Sequence, residues 1–206
     1  MRNNENGRSM VEMLGVLAII GVLSAGGLAG YSKAMFKHKL NNTMEQITML
    51  VTNIRTAYGS QRNYANMTEA KLVSLGVIPP VMGAAGSLTN PFKGGVTIAP
   101  ADAKDAAGDA TTGFTIQYTK LPREACISLA TADFGGSAGS GFIGVDAKGF
   151  AANADNMTLA STAAIGTGAT ENVGTSGTRD EGRAYTMANA IAACSTETNT
   201  ITWKFY

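Results

Sequence analysis

The sequence is short of charge, cysteine, histidine and proline. Charged residues make up 15% of its 206 residues, and 16 Lys+Arg against 15 Asp+Glu leave a formal net charge of +1. Nucleic-acid binding rests on a basic footprint, which this balance does not provide, so no direct nucleic-acid contact is expected. The chain has one histidine, His38, and two cysteines, Cys126 and Cys194. Without a second histidine, and with the two cysteines expected to pair, that set argues against a zinc site. A Ser-His-Asp triad would have to be built on His38 beside an apolar stretch, and no Gly-rich phosphate loop is present. These shortages argue against an enzyme, and neither a cofactor nor a metal is expected.

Glycine is plentiful at 25 residues, with much Ala, Ser and Thr. Low charge and high Gly suggest a β-rich, loop-rich extracellular surface. The length accommodates one compact domain plus an extended anchor. An even cysteine count in a chain that leaves the cytosol points to one disulfide, with two buried free thiols as the alternative. Such a bridge would close a loop of about 70 residues, worth about 4 kcal/mol by chain entropy.

The export argument comes from Met13–Ser32, 20 uncharged residues reading MLGVLAIIGVLSAGGLAGYS. As a helix this spans ~30 Å, the thickness of a bilayer's hydrocarbon core. Ser24-Ala25-Gly26 and Gly27-Leu28-Ala29 resemble small-x-small cleavage sites, but the apolar run continues past them and Glu12 stands where a signal peptide would begin its apolar core. A buried core helix of this length is disfavoured, which leaves a membrane helix. Arg2 and Arg8 precede the span, whereas Lys33, Lys37 and Lys39 follow it. A simple count would therefore put the C-terminal side in the cytoplasm, and the cysteine pair argues the other way. Gly15, Gly21, Gly26, Gly27 and Gly30 lie within the span, with Gly26 and Gly30 forming a GxxxG that lets membrane helices approach closely. Glu12, a carboxylate at the edge of the span, either snorkels to the headgroups or has a partner and a function.

Gly7-Arg8-Ser9-Met10-Val11-Glu12-Met13-Leu14, running into the apolar stretch, resembles the processing site of type IV pilins. Asn90-Pro91-Phe92-Lys93-Gly94-Gly95 and Glu124-Ala125-Cys126-Ile127-Ser128-Leu129-Ala130-Thr131 resemble segments of type IVb, PilS-like pilins. The resemblance implies cleavage by a prepilin peptidase between Gly7 and Arg8, and methylation of the new N-terminus. That terminus is Arg8, where the family usually has Phe or Met. The fifth mature residue is Glu12, which would pair with the Arg8 α-amine of a neighbouring copy and set the axial register. The family's pattern implies a cleaved leader at 1–7, the membrane-spanning and filament-core half of one helix at 8–33, and a periplasmic or extracellular head at 34–206. It also implies the inner membrane before assembly, a cell-surface homopolymer afterwards, and dependence on the pilus assembly machinery.

Beyond the span, Leu40, Met44, Ile47, Val51, Ile54 and Tyr58 form an apolar stripe at helical spacing, with Asn41, Asn42, Glu45, Thr52, Asn53 and Arg55 opposite and Gly59 as the stop. From Arg8 to Tyr58 such a helix is ~75 Å long. Lys33, Lys37, His38 and Lys39 form a basic patch that either touches lipid headgroups or is a solvated face. A short helix is predicted from Thr68, its N-cap, to Leu75, with Gly76 after it. Strands are predicted at Val96–Ile98, Phe114–Tyr118, Phe142–Val145 and Ile201–Phe205. Pro122 should open a helix carrying Cys126, and Asp180 should cap one that runs through Ala193 to Cys194. Ala151–Thr178, poor in large apolar residues, should be surface loop. The sequons at Asn41, Asn66 and Asn156 are read as chance.

The expected architecture is an α+β, pilin-like roll: a long N-terminal helix on an antiparallel sheet with a disulfide-closed C-terminal region. The expected role is structural, as a major pilin of a surface filament for adhesion, aggregation or conjugative or DNA contact. Rivals are a minor pilin or secretion pseudopilin, which abundance in sheared filaments would separate, and a membrane-anchored binding module, which predicts that Glu12→Ala is silent.

Overall fold

The structure is a computed structural model, and it describes residues 10–61, 63–101, 111–134, 141–147 and 185–206. Gly7, Arg8, Asn156, Asp180 and the expected loop Ala151–Thr178 lie outside the described residues. The chain divides into two compact units, Met1–Asn41 and Asn42–Tyr206. Helix α1, Met10–Tyr58, contributes to both.

In the second unit, α2 (Glu69–Ser74) begins where Thr68 Oγ1 accepts from the Lys71 N–H at 3.3 Å. It ends before Gly76, whose φ of +68° is the left-handed conformation that favours glycine. A 3-10 turn, Pro80–Met82, follows, with Pro at its first position where no N–H is needed. Strands β1 (Val96–Ala101) and β2 (Gly113–Pro122) lead to α3 (Arg123–Ala130), which starts directly after Pro122. Then come β3 (Phe142–Asp146), α4 (Met187–Ala193) and β4 (Thr198–Phe205).

The sheet is antiparallel, in the order β1-β2-β4-β3. The alternating apolar residues are in register: Phe114, Ile116 and Tyr118 of β2 face Phe205, Trp203 and Ile201 of β4. All six are buried. They share one face of the sheet because side chains two apart on a strand point the same way. The rings continue into a string from Tyr58 through Tyr64, Phe114, Phe205, Phe142, Phe134 and Trp203 to Tyr118, with successive centroids 5.0–6.3 Å apart. Such tilted and edge contacts add to the burial of the ring surfaces. Residues on the opposite face, Thr115, Thr202 and Lys204, are buried too, so the middle of the sheet is covered on both sides.

Two sequence expectations need correction. The helix delivering Cys194 starts at Met187, capped by the Thr186 hydroxyl, which accepts from Asn189 N at 3.3 Å; Asp180 is not its cap. Both residue types suit an N-cap, and the one a single turn before the buried Ala190 and Ala193 does the capping. Gly59 does follow α1, but without a left-handed φ. A β-carbon there would stand 2.9 Å from the Arg55 carbonyl, so it is close approach that asks for glycine.

Candidate functional site

Within the first unit, α1 leaves its apolar side chains uncovered. Met10, Val11, Val22 and Leu23 are 69–85% exposed, and Leu14, Leu17, Ile19, Leu28 and Tyr31 are exposed as well. The helix is long and apolar enough to cross a membrane, and none of its apolar window is buried in the chain. Glu12 lies in its first turn. A β-carbon added at Gly15, Gly21, Gly26, Gly27 or Gly30 would meet nothing within 4 Å. Each glycine costs an exposed helix about 1 kcal/mol relative to alanine, and no contact among the described residues requires one. Lys33, Lys37 and His38 are exposed and Lys39 is half-buried.

The second unit takes the C-terminal turns of α1 as part of its core. The buried stripe is Thr43, Ile47, Leu50, Val51, Ile54 and Tyr58. Four of these six were in the expected stripe; Leu40 and Met44 are half-buried, and Thr43 and Leu50 take their places. The seam thus follows Ile47-Leu50-Val51-Ile54, a wider apolar band than strict four-and-three spacing describes. Polar residues tie the helix down: Tyr118 OH donates to Gln46 Oε1 at 3.3 Å, and Asn53 Nδ2 donates to the Val77 carbonyl at 3.1 Å. Burial pushes the Tyr118 phenol well above its ordinary value. Arg55 donates to the Tyr206 carbonyl at 2.9 Å and lies 5.8 Å from the Phe205 ring centre, and burial lowers its pKa. Thr48, Thr52 and Thr56 on the exposed face donate their hydroxyls back to the carbonyls four residues earlier.

Asn90-Pro91-Phe92-Lys93-Gly94-Gly95 folds into a turn built on one buried side chain. Asn90 Oδ1 accepts from Phe92 N at 2.9 Å and from Gly94 N at 3.0 Å, while its Nδ2 donates to the Thr119 carbonyl at 2.9 Å. Lys93 adopts φ +67°. A β-carbon on Gly94 would collide with the Thr119 carbonyl and lie 2.8 Å from Asn90 Nδ2, so the close approach of two backbones requires glycine here. Gly95 N in turn donates to Thr119 Oγ1 at 2.8 Å. Strand β2 is irregular at this point, with a register shift between Tyr118 and Leu121 and φ +55° at Lys120. The bulge presents Thr119 to the turn. The motif was visible in the sequence, but Thr119 and the bulge were not, because nothing local marks a strand irregularity whose partner is 29 residues away.

The sulfurs of Cys126 in α3 and Cys194 at the end of α4 are bonded, across a separation of 68 residues, and both residues are fully buried. The pair expected from the sequence is the pair observed. Among the described residues no three His, Cys, Asp or Glu come together as a metal site.

A family model described as "PilS N terminal" matches residues 37–205. Among curated proteins, the chain is similar to the major structural subunit of bundle-forming pilus from Escherichia coli O127:H6 (strain E2348/69 / EPEC) and from Escherichia coli O111:H-. Each is 29% identical over 136 residues, covering 65% of this chain and 68% of the relative. Among solved structures it is similar to TcpA, a type IV pilin from Vibrio cholerae El Tor biotype, with a TM-score of 0.55 and 20% identity over 82% of this chain and 99% of that one. At that identity the likeness shows the fold: a long helix and an antiparallel sheet.

Proposed function

Because the chain belongs to the PilS family of pilins, we propose that it is the structural subunit of a type IV pilus, a type IVb pilin made as a precursor and polymerised into a surface filament. Its role is mechanical and not enzymatic. Residues 1–7 are the leader; prepilin peptidase cuts after Gly7 and makes Arg8 the mature N-terminus, the substrate for methylation. Residues 8–33 hold the subunit in the inner membrane before assembly and form the filament core afterwards. Residues 34–206 carry the head, outside the cytoplasm, where the Cys126–Cys194 bridge is stable. The partners are further copies of the chain, the prepilin peptidase and the assembly machinery.

The observation that carries this reading is the uncovered apolar helix, whose glycines meet nothing within 4 Å. A surface of that kind does not persist in water. Lipid covers it first, and the same helix of other copies covers it later. Small residues then become useful, because they let helix backbones approach. Glu12 would be held among apolar helices in the filament, where an unpaired carboxylate is expensive. The α-amine of Arg8 on a neighbouring copy neutralises it and sets the register.

Mass spectrometry of the mature protein, with and without the prepilin peptidase, tests the first step: a mature N-terminus at any residue other than Arg8 overturns it. Glu12→Ala tests the second, and the expected outcome is processed, membrane-held protein without filaments. Normal filament yield from that variant would remove the pairing.

A further inference from the structure

An edge strand presents unpaired backbone N–H and C=O groups to any chain that approaches it. If the filament reading holds, identical heads lie side by side at very high local concentration, and an open sheet edge would compete with assembly through the helix. The order β1-β2-β4-β3 puts β1 and β3 at the two edges of the sheet; β2 is the strand that pairs with β1, and just before Val96 a single antiparallel bridge joins Gly95 to Thr89. In an antiparallel pair, alternate residues turn their backbone groups away from the partner strand. In β1 these are Val96, Ile98 and Pro100.

Every outward donor of that edge is accounted for. Val96 N donates to the Leu88 carbonyl at 2.9 Å. Ile98 N donates to Glu69 Oε1 at 3.2 Å. Pro100 has no N–H to offer. The other carboxylate oxygen, Glu69 Oε2, accepts from Gly86 N at 2.9 Å. Glu69 thus bridges two backbone segments from the first position of α2, which the Thr68 hydroxyl caps. An incoming strand would have to bring a carbonyl oxygen to Ile98 N–H, where a carboxylate already sits. It would meet a better acceptor and a negative charge at once.

We infer that Glu69 is a specificity-determining residue for assembly: its carboxylate closes the β1 edge, one of the two edges of the sheet, against addition of a strand from another copy. The Leu88 carbonyl and Pro100 block the edge through the main chain. Glu69 is the part of the block that a single side-chain substitution removes.

The inference rests on the filament reading for its purpose, but its test does not. The full chain in detergent micelles is followed by amide hydrogen exchange and by sedimentation over a range of concentrations. Glu69→Ala is expected to speed exchange at Ile98 and Gly86 about tenfold or more, equivalent to about 1.4 kcal/mol of opening, while the Trp203 amide keeps its protection. At higher concentration the variant should form oligomers in which Ile98 slows again, as an amide in a new strand pair does. Glu69→Gln, which keeps one acceptor oxygen, should fall in between. Unchanged exchange at Ile98 in Glu69→Ala overturns the inference, as does an opened Ile98 in a variant that stays monomeric at every concentration. If Glu69→Ala loses Trp203 protection as well, Glu69→Gln decides by the same two readings. Failure of the unmodified chain to form filaments in cells would sink the proposed function and leave these readings unaffected.

Discussion

Replacing Asn90 by alanine is the sharpest test of how the head is held together, because one small side chain there satisfies three backbone groups. The substitution removes the acceptor for Phe92 N and Gly94 N and the donor to the Thr119 carbonyl. Asn90 is 3% exposed and the bond to Gly94 N is buried, so water cannot replace that partner without opening the turn. A buried N–H left unsatisfied costs ~1–3 kcal/mol, and the two half-buried bonds are worth about 1 kcal/mol each. The expected loss is therefore about 3–5 kcal/mol, a large share of the roughly 5–15 kcal/mol that holds a domain folded. The chain's one tryptophan, Trp203, is fully buried in β4, so its fluorescence in a urea titration reports on head unfolding. The midpoint should fall with the slope unchanged, and the Gly94 amide should exchange faster than any other amide of the turn. A loss below about 1 kcal/mol, the worth of a single ordinary hydrogen bond, would show that the turn does not depend on Asn90.

Two further outcomes follow from the head's chemistry. Cys126→Ala with Cys194→Ala, which opens a link across 68 residues, should lower stability by about 4 kcal/mol on the chain-entropy estimate, read as the difference in urea midpoint; an unchanged midpoint would refute that account. The Tyr118 phenol is raised above its ordinary value of 10.0 by burial, so the folded state keeps a proton that the unfolded chain releases. Its contribution is full below about pH 10 and is lost as pH rises beyond it. Tyr118→Phe should lose about 1 kcal/mol at neutral pH with the bond to Gln46, and show a shallower decline above pH 10; an identical alkaline slope would assign that decline elsewhere.

Local signals in the sequence located local structure. Thr68 and Gly76 bracket α2 because a cap and a left-handed glycine act within one turn. The alternation at Phe114–Tyr118 and Ile201–Phe205 marks two strands because each buries the same face. Cys126 and Cys194 declared a bridge through their number and the export argument. The features that escaped depend on partners distant in sequence. Leu50 belongs to the seam because it packs in the second unit's core, and Thr43 is buried despite its hydroxyl. The bulge at Thr119–Lys120 is written in no local propensity; the Asn90 turn, a distant segment, occupies it. Glu69 reads as an ordinary first-turn acid, favourable near a helix N-terminus, and its hold on Ile98 appears only in three dimensions. Gly7 and Arg8 stand out only as a motif, and the processing proposed for them is a matter of cleavage chemistry that the fold does not carry.

The strand order carries a consequence in time. Strand β4 comes last in the chain yet lies between β2 and β3, so a chain emerging from its N-terminus cannot complete the sheet until Thr198–Phe205 has emerged. Until then Phe114, Ile116 and Tyr118 lack the strand they face, and the loop to be closed at Cys194 is still open. Pairings between residues this far apart in sequence form slowly, whereas a helix such as α1 needs only its own residues. The order of emergence therefore sets the order of folding: α1 can form while the head is still an unfinished chain. On the proposed membrane-anchored reading, tethering precedes folding, and the head closes only after Thr198–Phe205 arrives.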